Sequence, residues 1–277
     1  MLSFLNTKRV NIMFAYLSIA FGLFSLFFMA YDTARWTNEY MEQMQQEGAA
    51  YQSTSTVDRN LPQTGLPQSE TDQNVIQDSM KKWTLTAVLG FIISLVSFLF
   101  QVFVNYQWSE SLNRNITETN QILGDIIEKT SDEEAIYDFE WMGDKLNSMR
   151  IQPWPFYIYV AMSVFSIFLN EMSFFFSIFS FAFLAYYLSK IFKVCYDLVD
   201  IKSQFYAFYL KETYVGDIEY IIPYRNILLF FFFTIVTFGI YWYYLLFKLS
   251  MEINQFLDAD ERLRKKLPES PVLEEEQ

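Results

Sequence analysis

Long apolar runs crowded with phenylalanine alternate with polar stretches along the chain, and their lengths set the first expectation. The runs are Val10–Tyr31, Trp83–Val104, Pro155–Phe192 and Ile227–Leu249. A helix needs about 20 apolar residues to cross a hydrocarbon core of roughly 30 Å. The central run exceeds that, since as one helix it would be roughly 57 Å long. Asn170-Glu171 is the polar pair inside it and predicts a tight hairpin, with Ser173 as N-cap of the second arm. The first arm, Pro155–Leu169, is short for a full span. The expected fold class is all-α: a polytopic integral membrane protein with four or five transmembrane helices and long juxtamembrane helical extensions.

Those extensions come from apolar spacing that continues past the membrane runs. Leu112, Ile116, Thr119, Leu123 and Ile126 recur at steps of four and three, the period of a helical seam. Ile191, Cys195, Leu198, Lys202, Phe205 and Tyr209 repeat the pattern after the central run. Leu249, Ile253, Phe256, Asp260, Leu263 and Leu267 repeat it after the last one, where Lys265 and Lys266 suit a helix C-terminus before Pro268. The last run and its tail therefore read as one continuous helix through Leu267. The seams either pack on one another within a subunit or zip protomers together.

The chain divides accordingly into 1–31 (N-terminus and first span), 32–82 (polar loop), 83–150 (second span, extension and acidic loop), 151–225 (central hairpin and extension) and 226–277 (last span and acidic tail). Residues Glu39–Asp78 are rich in Gln, Ser, Thr and Asn and include Pro62, Gly65 and Pro67, so Gly48–Asn74 is expected to be disordered between short helical ends. Lys and Arg flank nearly every span, which leaves orientation undetermined by charge. An inside N-terminus is favoured because the polar loop reads as an exported linker. The first run is longer than a signal core and no small-x-small cleavage site follows it, so it reads as a retained span.

Composition removes whole classes of function. The chain is 52% hydrophobic and 20% aromatic, with 30 Phe and 19 Tyr, which a soluble globular protein could not cover. A net charge of −12 argues against nucleic acid as a partner, although short basic clusters could touch phosphate headgroups. The absence of histidine removes the commonest general base and metal ligand, and the single Cys195 excludes an intramolecular disulfide. No cofactor and no metal are expected. The run Asp132-Glu133-Glu134, with Asp138 and Glu140, lacks a nucleophile or phosphate loop and reads as a solvated loop. Asn115-Ile-Thr117 fits a glycosylation acceptor but falls inside a seam.

The most specific pattern is Thr237-Phe-Gly239-Ile-Tyr241 followed by Lys248, Glu252 and Asn254. Physically, Gly239 would let a neighbouring helix approach, Thr237 would hydrogen-bond a carbonyl in its span or across it, and Lys248 would snorkel and pair with Glu252 at i+4. Tyr241 to Tyr244 resemble an aromatic girdle lying deeper than the headgroups. The spacing resembles the prokaryotic membrane domain-of-unknown-function family 4234, which reads T-x-G-x-Y, then W, K and E-x-N; Leu245 stands at the tryptophan position. The resemblance covers about thirty-five residues and implies no known activity. Ser180–Leu188 can also be laid on Thr237–Leu245 without a gap, as a duplication or as chance in a Phe-rich chain.

Glu171 is the ionisable residue expected nearest to membrane depth, and with Asn170 it forms a candidate polar pathway unless the pair is an interfacial turn. The expected function is non-enzymatic: a scaffold or accessory subunit of an assembly in the cell membrane, with the lipid bilayer and other chains or a second copy as partners through the juxtamembrane helices. Thr237, Gly239, Tyr241, Lys248, Glu252 and Asn254 are the candidate packing and interaction residues. A small channel or transporter-like protein is the alternative.

Overall fold

The computed structural model describes residues 9–54, 70–210 and 222–267, and among them every regular element is helical. The helices are α1 (Ile12–Thr54), α2 (Glu70–Ile127), α3 (Glu133–Ser148), α4 (Trp154–Phe168), α5 (Ser173–Leu210), α6 (Ile227–Val236) and α7 (Ile240–Arg264), with a 3-10 turn at Asn170–Met172. Three stretches are long and apolar enough to cross a membrane: Ile12–Glu39 in α1, Thr86–Ile127 in α2 and Ser173–Phe208 in α5. Trp154–Phe168 and Ile227–Val236 are apolar but shorter.

Leu17–Leu99 form one compact unit, and Met1–Tyr16 with Phe100–Gln277 form the other. In the first, α1 and α2 pair antiparallel through small polar residues, with Ser25 Oγ 2.6 Å from Ser94 Oγ and Ser97 Oγ donating to the Ser18 carbonyl at 2.9 Å. Gly90 of α2 faces Phe28 and Met29 of α1 here, and a Cβ at that position would make ordinary van der Waals contact with the Phe28 ring at 3.7 Å. Small residues and hydroxyls are what helices use to adhere in an apolar solvent.

Two helices outrun the expected loop. α1 continues to Thr54 and α2 starts at Glu70, so Gly48–Thr54 and Glu70–Asn74 are helical, and the rest of the segment expected to be disordered, 55–69, lies outside the described residues. Residues 32–54 explain their helix: they hold no proline and one glycine, and Arg35 pairs with Glu39 at i+4, 2.8 Å apart.

The second unit holds the three seams, and they pack on one another within the chain. Leu112, Ile116 and Thr119 of α2, Ile191, Cys195, Leu198 and Lys202 of α5, and Leu249, Ile253 and Asp260 of α7 are all buried. Trp108 Nε1 donates to Ser250 Oγ at 2.9 Å and Tyr187 Oη to the Asn105 carbonyl at 2.7 Å. The order of contacts, 105 with 187 and 108 with 250 at one end and 115 with 260 and 260 with 202 at the other, makes these three helices parallel. α3 returns along them: Arg150 reaches Thr117 and Asn147 reaches Asn120. The acidic run expected as a loop in fact builds α3, because Asp132 Oδ1 accepts from the Glu134 and Ala135 N–H groups as N-cap and Glu133 and Glu134 sit in the positively polarised first turn. Tyr209 and Pro268 lie outside what is described of side chains and backbone respectively.

The central run breaks where its polar pair stands, at the 3-10 turn Asn170–Met172, with Ser173 as the first residue of α5. Ser163 and Ser180 close that hairpin, Oγ to Oγ at 2.6 Å.

The last apolar run departs from expectation. It is not one helix: α6 ends at Val236 and α7 begins at Ile240. Gly239 N–H bonds the Thr234 carbonyl at 2.7 Å and Phe238 N–H the Ile235 carbonyl at 3.1 Å, the paired bonds of a Schellman ending. Phe238 and Gly239 carry φ of 50° and 88°. The chain reverses there, so Phe230 of α6 stacks within 5.7 Å of Trp242 and within 6.0 Å of Tyr241. α6 rises only about 15 Å over its 10 residues, half of a hydrocarbon core. Ser180–Leu188, by contrast, is unbroken helix, so the proposed internal echo sets a continuous segment on a broken one.

Candidate functional site

Each seam carries a polar residue at a core position, and in the second unit these interruptions converge. Asp260 of α7, 3% exposed, accepts hydrogen bonds from three side chains and forms an ion pair with a fourth. Lys202 Nζ and Tyr206 Oη, both on α5, lie 2.7 Å from Oδ1. Asn115 Nδ2 of α2 and the Arg264 guanidinium of α7 lie 2.7 and 2.8 Å from Oδ2. Arg264 in turn holds Glu118 at 2.6 Å and Thr119 Oγ1 at 3.2 Å. With Arg114, which also pairs with Glu118 at 3.1 Å, three cations thus face two carboxylates at the junction of three helices.

Electrostatics follow from the geometry. Burial alone would push the Asp260 carboxyl up, but Lys202 and Arg264 beside it, with the hydrogen bonds from Lys202 and Tyr206, hold it below the ordinary carboxylate range. A carboxylate held by three hydrogen bonds and paired with two cations is poorly placed to move a proton. What it does is fix the register of α2, α5 and α7. Ser111, Asn115 and Arg264 also line a cavity of about 150 Å³, large and polar enough for ordered water.

The residues singled out in the last run serve the α6–α7 hairpin and its base. Thr237 is the C-cap of α6: its hydroxyl donates to the Phe233 carbonyl at 2.7 Å and accepts from the Tyr241 N–H at 2.9 Å. Gly239 does not admit a neighbouring helix, because a Cβ there would meet nothing within 4 Å; its role is the left-handed backbone of the reversal. Tyr241 packs on Phe233 at 5.3 Å. Lys248 lies 3.7 Å from Glu252, which also pairs with Arg225 at the start of the hairpin. Asn254 exchanges two 2.8 Å bonds with the N–H and carbonyl of Val10, pinning the N-terminal segment to α7.

These six are therefore not gathered in one cleft. Thr237, Gly239 and Tyr241 sit at the hairpin tip, and Glu252 is 13 residues, about 20 Å, farther along. Asn170 and Glu171 form the turn between α4 and α5, with Glu171 exposed. Among the described residues no group of acidic, histidine and cysteine side chains could hold a metal ion. Asn115, whose tripeptide fits a glycosylation acceptor inside a seam, is buried against Asp260. Lys202 and Asp260 could have been paired from sequence as opposite charges interrupting two seams; Glu118, Tyr206 and Arg264 left no such signal.

Residues 225–266 match the family model of a Domain of unknown function (DUF4234), the region where the T-x-G-x-Y and E-x-N spacing lies. No curated protein and no solved structure matches the chain.

Proposed function

We propose that the chain is a non-enzymatic multi-pass protein of the cell membrane that acts as a scaffold or accessory subunit of a membrane assembly. In this reading α1, α2, α4 and α5 cross the bilayer, the α6–α7 hairpin is re-entrant, and α2, α5, α7 and α3 form a rigid platform on the side that also holds Val10. The Asp260 cluster supports it, because its charged groups are consumed in fixing helices. The observation that carries it is on α3, which lies outside every apolar run yet exposes Tyr137 (70%) and Trp141 (46%) one turn apart. Exposed aromatic pairs of this kind anchor protein interfaces. The channel alternative would rely on Thr237, Asn170 and Glu171, and the Thr237 hydroxyl is already committed to backbone.

Purification of the full chain in mild detergent tests the reading. It predicts stoichiometric recovery of another chain or a defined homo-oligomer, lost in Tyr137→Ala/Trp141→Ala. A monomer that passes ions in liposomes would overturn it in favour of the channel.

A further inference from the structure

Between α3, the start of α4 and the middle of α5 lies a groove of about 580 Å³. Lys145, Arg150, Lys190 and Lys193 line it, against one carboxylate, Asp197. The chain carries 32 acidic residues to 20 basic ones, so a cluster of four cations is unusual here. Three of them have neutral partners: Arg150 donates to Thr117 Oγ1 at 3.1 Å, Lys145 sits 4.7 Å above the Trp141 ring, and Lys190 lies 5.8 Å from the Tyr186 ring. Among the described residues none of the four is within ion-pair distance of a carboxylate. Their charge is therefore presented to whatever enters the groove.

The groove also sits at a defined height. α4 carries no charged residue from Trp154 to Phe168, and α5 none from Ser173 to Ser189, so Lys190 is the first charge below both apolar arms. Trp154 and Tyr186 pair at this level with ring centroids 6.2 Å apart, as aromatic residues do where hydrocarbon meets headgroups. Gln152 and Pro155, at the start of α4, also line the groove.

We propose that this groove binds a phosphate ester, with Lys190, Lys193 and Arg150 as its charged contacts. The inference rests on the membrane reading only for the source of that phosphate, a lipid headgroup or a soluble phosphate ester. A basic pocket between helices at the end of an apolar hairpin is the arrangement that anionic headgroups occupy, and Arg150 supplies the planar fork suited to phosphate oxygens.

The test uses the full chain in neutral nonionic micelles, titrated with phosphatidic acid, with phosphatidylcholine as neutral lipid and glycerol 3-phosphate as soluble probe. Saturable binding of phosphatidic acid or of glycerol 3-phosphate, weakened about thirtyfold in Lys190→Gln/Lys193→Gln, is the expected result, from about one unit of binding free energy per surface cation. The melting temperature of that variant verifies its fold, since both side chains are exposed. Asp197→Asn should tighten binding about fivefold, a gain no unfolded variant could mimic. If only the lipid binds, the source is the headgroup; if only the soluble ester binds, the phosphate site stands and its lipid source does not. Equal weakening in Lys129→Gln/Arg262→Gln, or no saturable binding of either probe, would overturn the proposal. Extraction of the chain from membranes by alkaline carbonate would overturn the membrane reading separately, whatever the titration shows.

Discussion

Asp260 receives three hydrogen bonds and an ion pair to Arg264 inside a helical bundle, and the cost of removing it is set by what it leaves behind. Asp260→Ala strands Lys202, 2% exposed, without a counter-charge and should cost about 3–5 kcal/mol of stability in a detergent melt. Lys202→Met/Asp260→Leu removes both charges and should recover a large part of that loss, because a buried pair contributes less than its rupture costs. A double variant no more stable than Asp260→Ala would show that the other donors, not the ion pair, set the value. The pH dependence has a definite sign. The folded Asp260 carboxyl is held below its unfolded value of about 4, so the unfolded chain binds the extra proton first and stability falls as pH drops from about 4 through the lowered value. Lys202 keeps its proton in both states over that range and adds no slope. Asp260→Asn should flatten the acid limb of a stability-versus-pH curve, and an unchanged limb would contradict the assignment. Lys202 and Asp260 were readable as interruptions of two seams; that they meet each other, with Asn115 and Arg264 closing the remaining positions, depends on helix rotation that no single seam encodes.

The α6–α7 hairpin shows where reading elements from a sequence runs out. The central break was legible, since a run too long for one helix contained Asn170-Glu171 to divide it. Ile227–Leu249 has a crossing's length and no charge before Lys248, so nothing in its pattern distinguishes one span from two half-spans. The reversal is written only in Thr237-Phe238-Gly239, and its left-handed C′ position is filled by Phe238, 90% exposed and strained at φ 50°. Phe238→Gly should therefore raise stability by about 1 kcal/mol, while Gly239→Ala should lower it by about 1–2 kcal/mol although open space surrounds it. Thermal unfolding in detergent measures both. If Phe238→Gly destabilises and Gly239→Ala is silent, residues 227–249 form a straight helix. The acidic run misled for a similar reason: charge suggested a loop, but Asp132 at the N-cap with acids in the first turn is a helix start. Farther along α7, Ile253 is fully buried in unbroken helix, and Ile253→Pro should cost about 3 kcal/mol or more.

At the scale of the whole molecule, three helices are long and apolar enough to cross a membrane, and Val10, α3 and the end of α7 gather with the C-terminal half of α2. The all-helical class follows from run lengths and holds among the described residues, where three helices are long and apolar enough to cross a membrane against the four or five spans expected. The seams pack on one another within the chain through a pairing of polar residues that their apolar spacing did not reveal. Cys195, 1% exposed, is silent to a polar reagent, so it leaves the parent chain as a clean background for topology. The most direct measurement is labelling by a membrane-impermeant maleimide of Glu42→Cys, Lys129→Cys and Arg262→Cys, in intact cells and in inverted vesicles. The proposed topology, in which α1 crosses the bilayer once, predicts that positions 129 and 262 react from one side and position 42 only from the other. Labelling of 129 and 262 from opposite sides, or of all three from the same side, would contradict it.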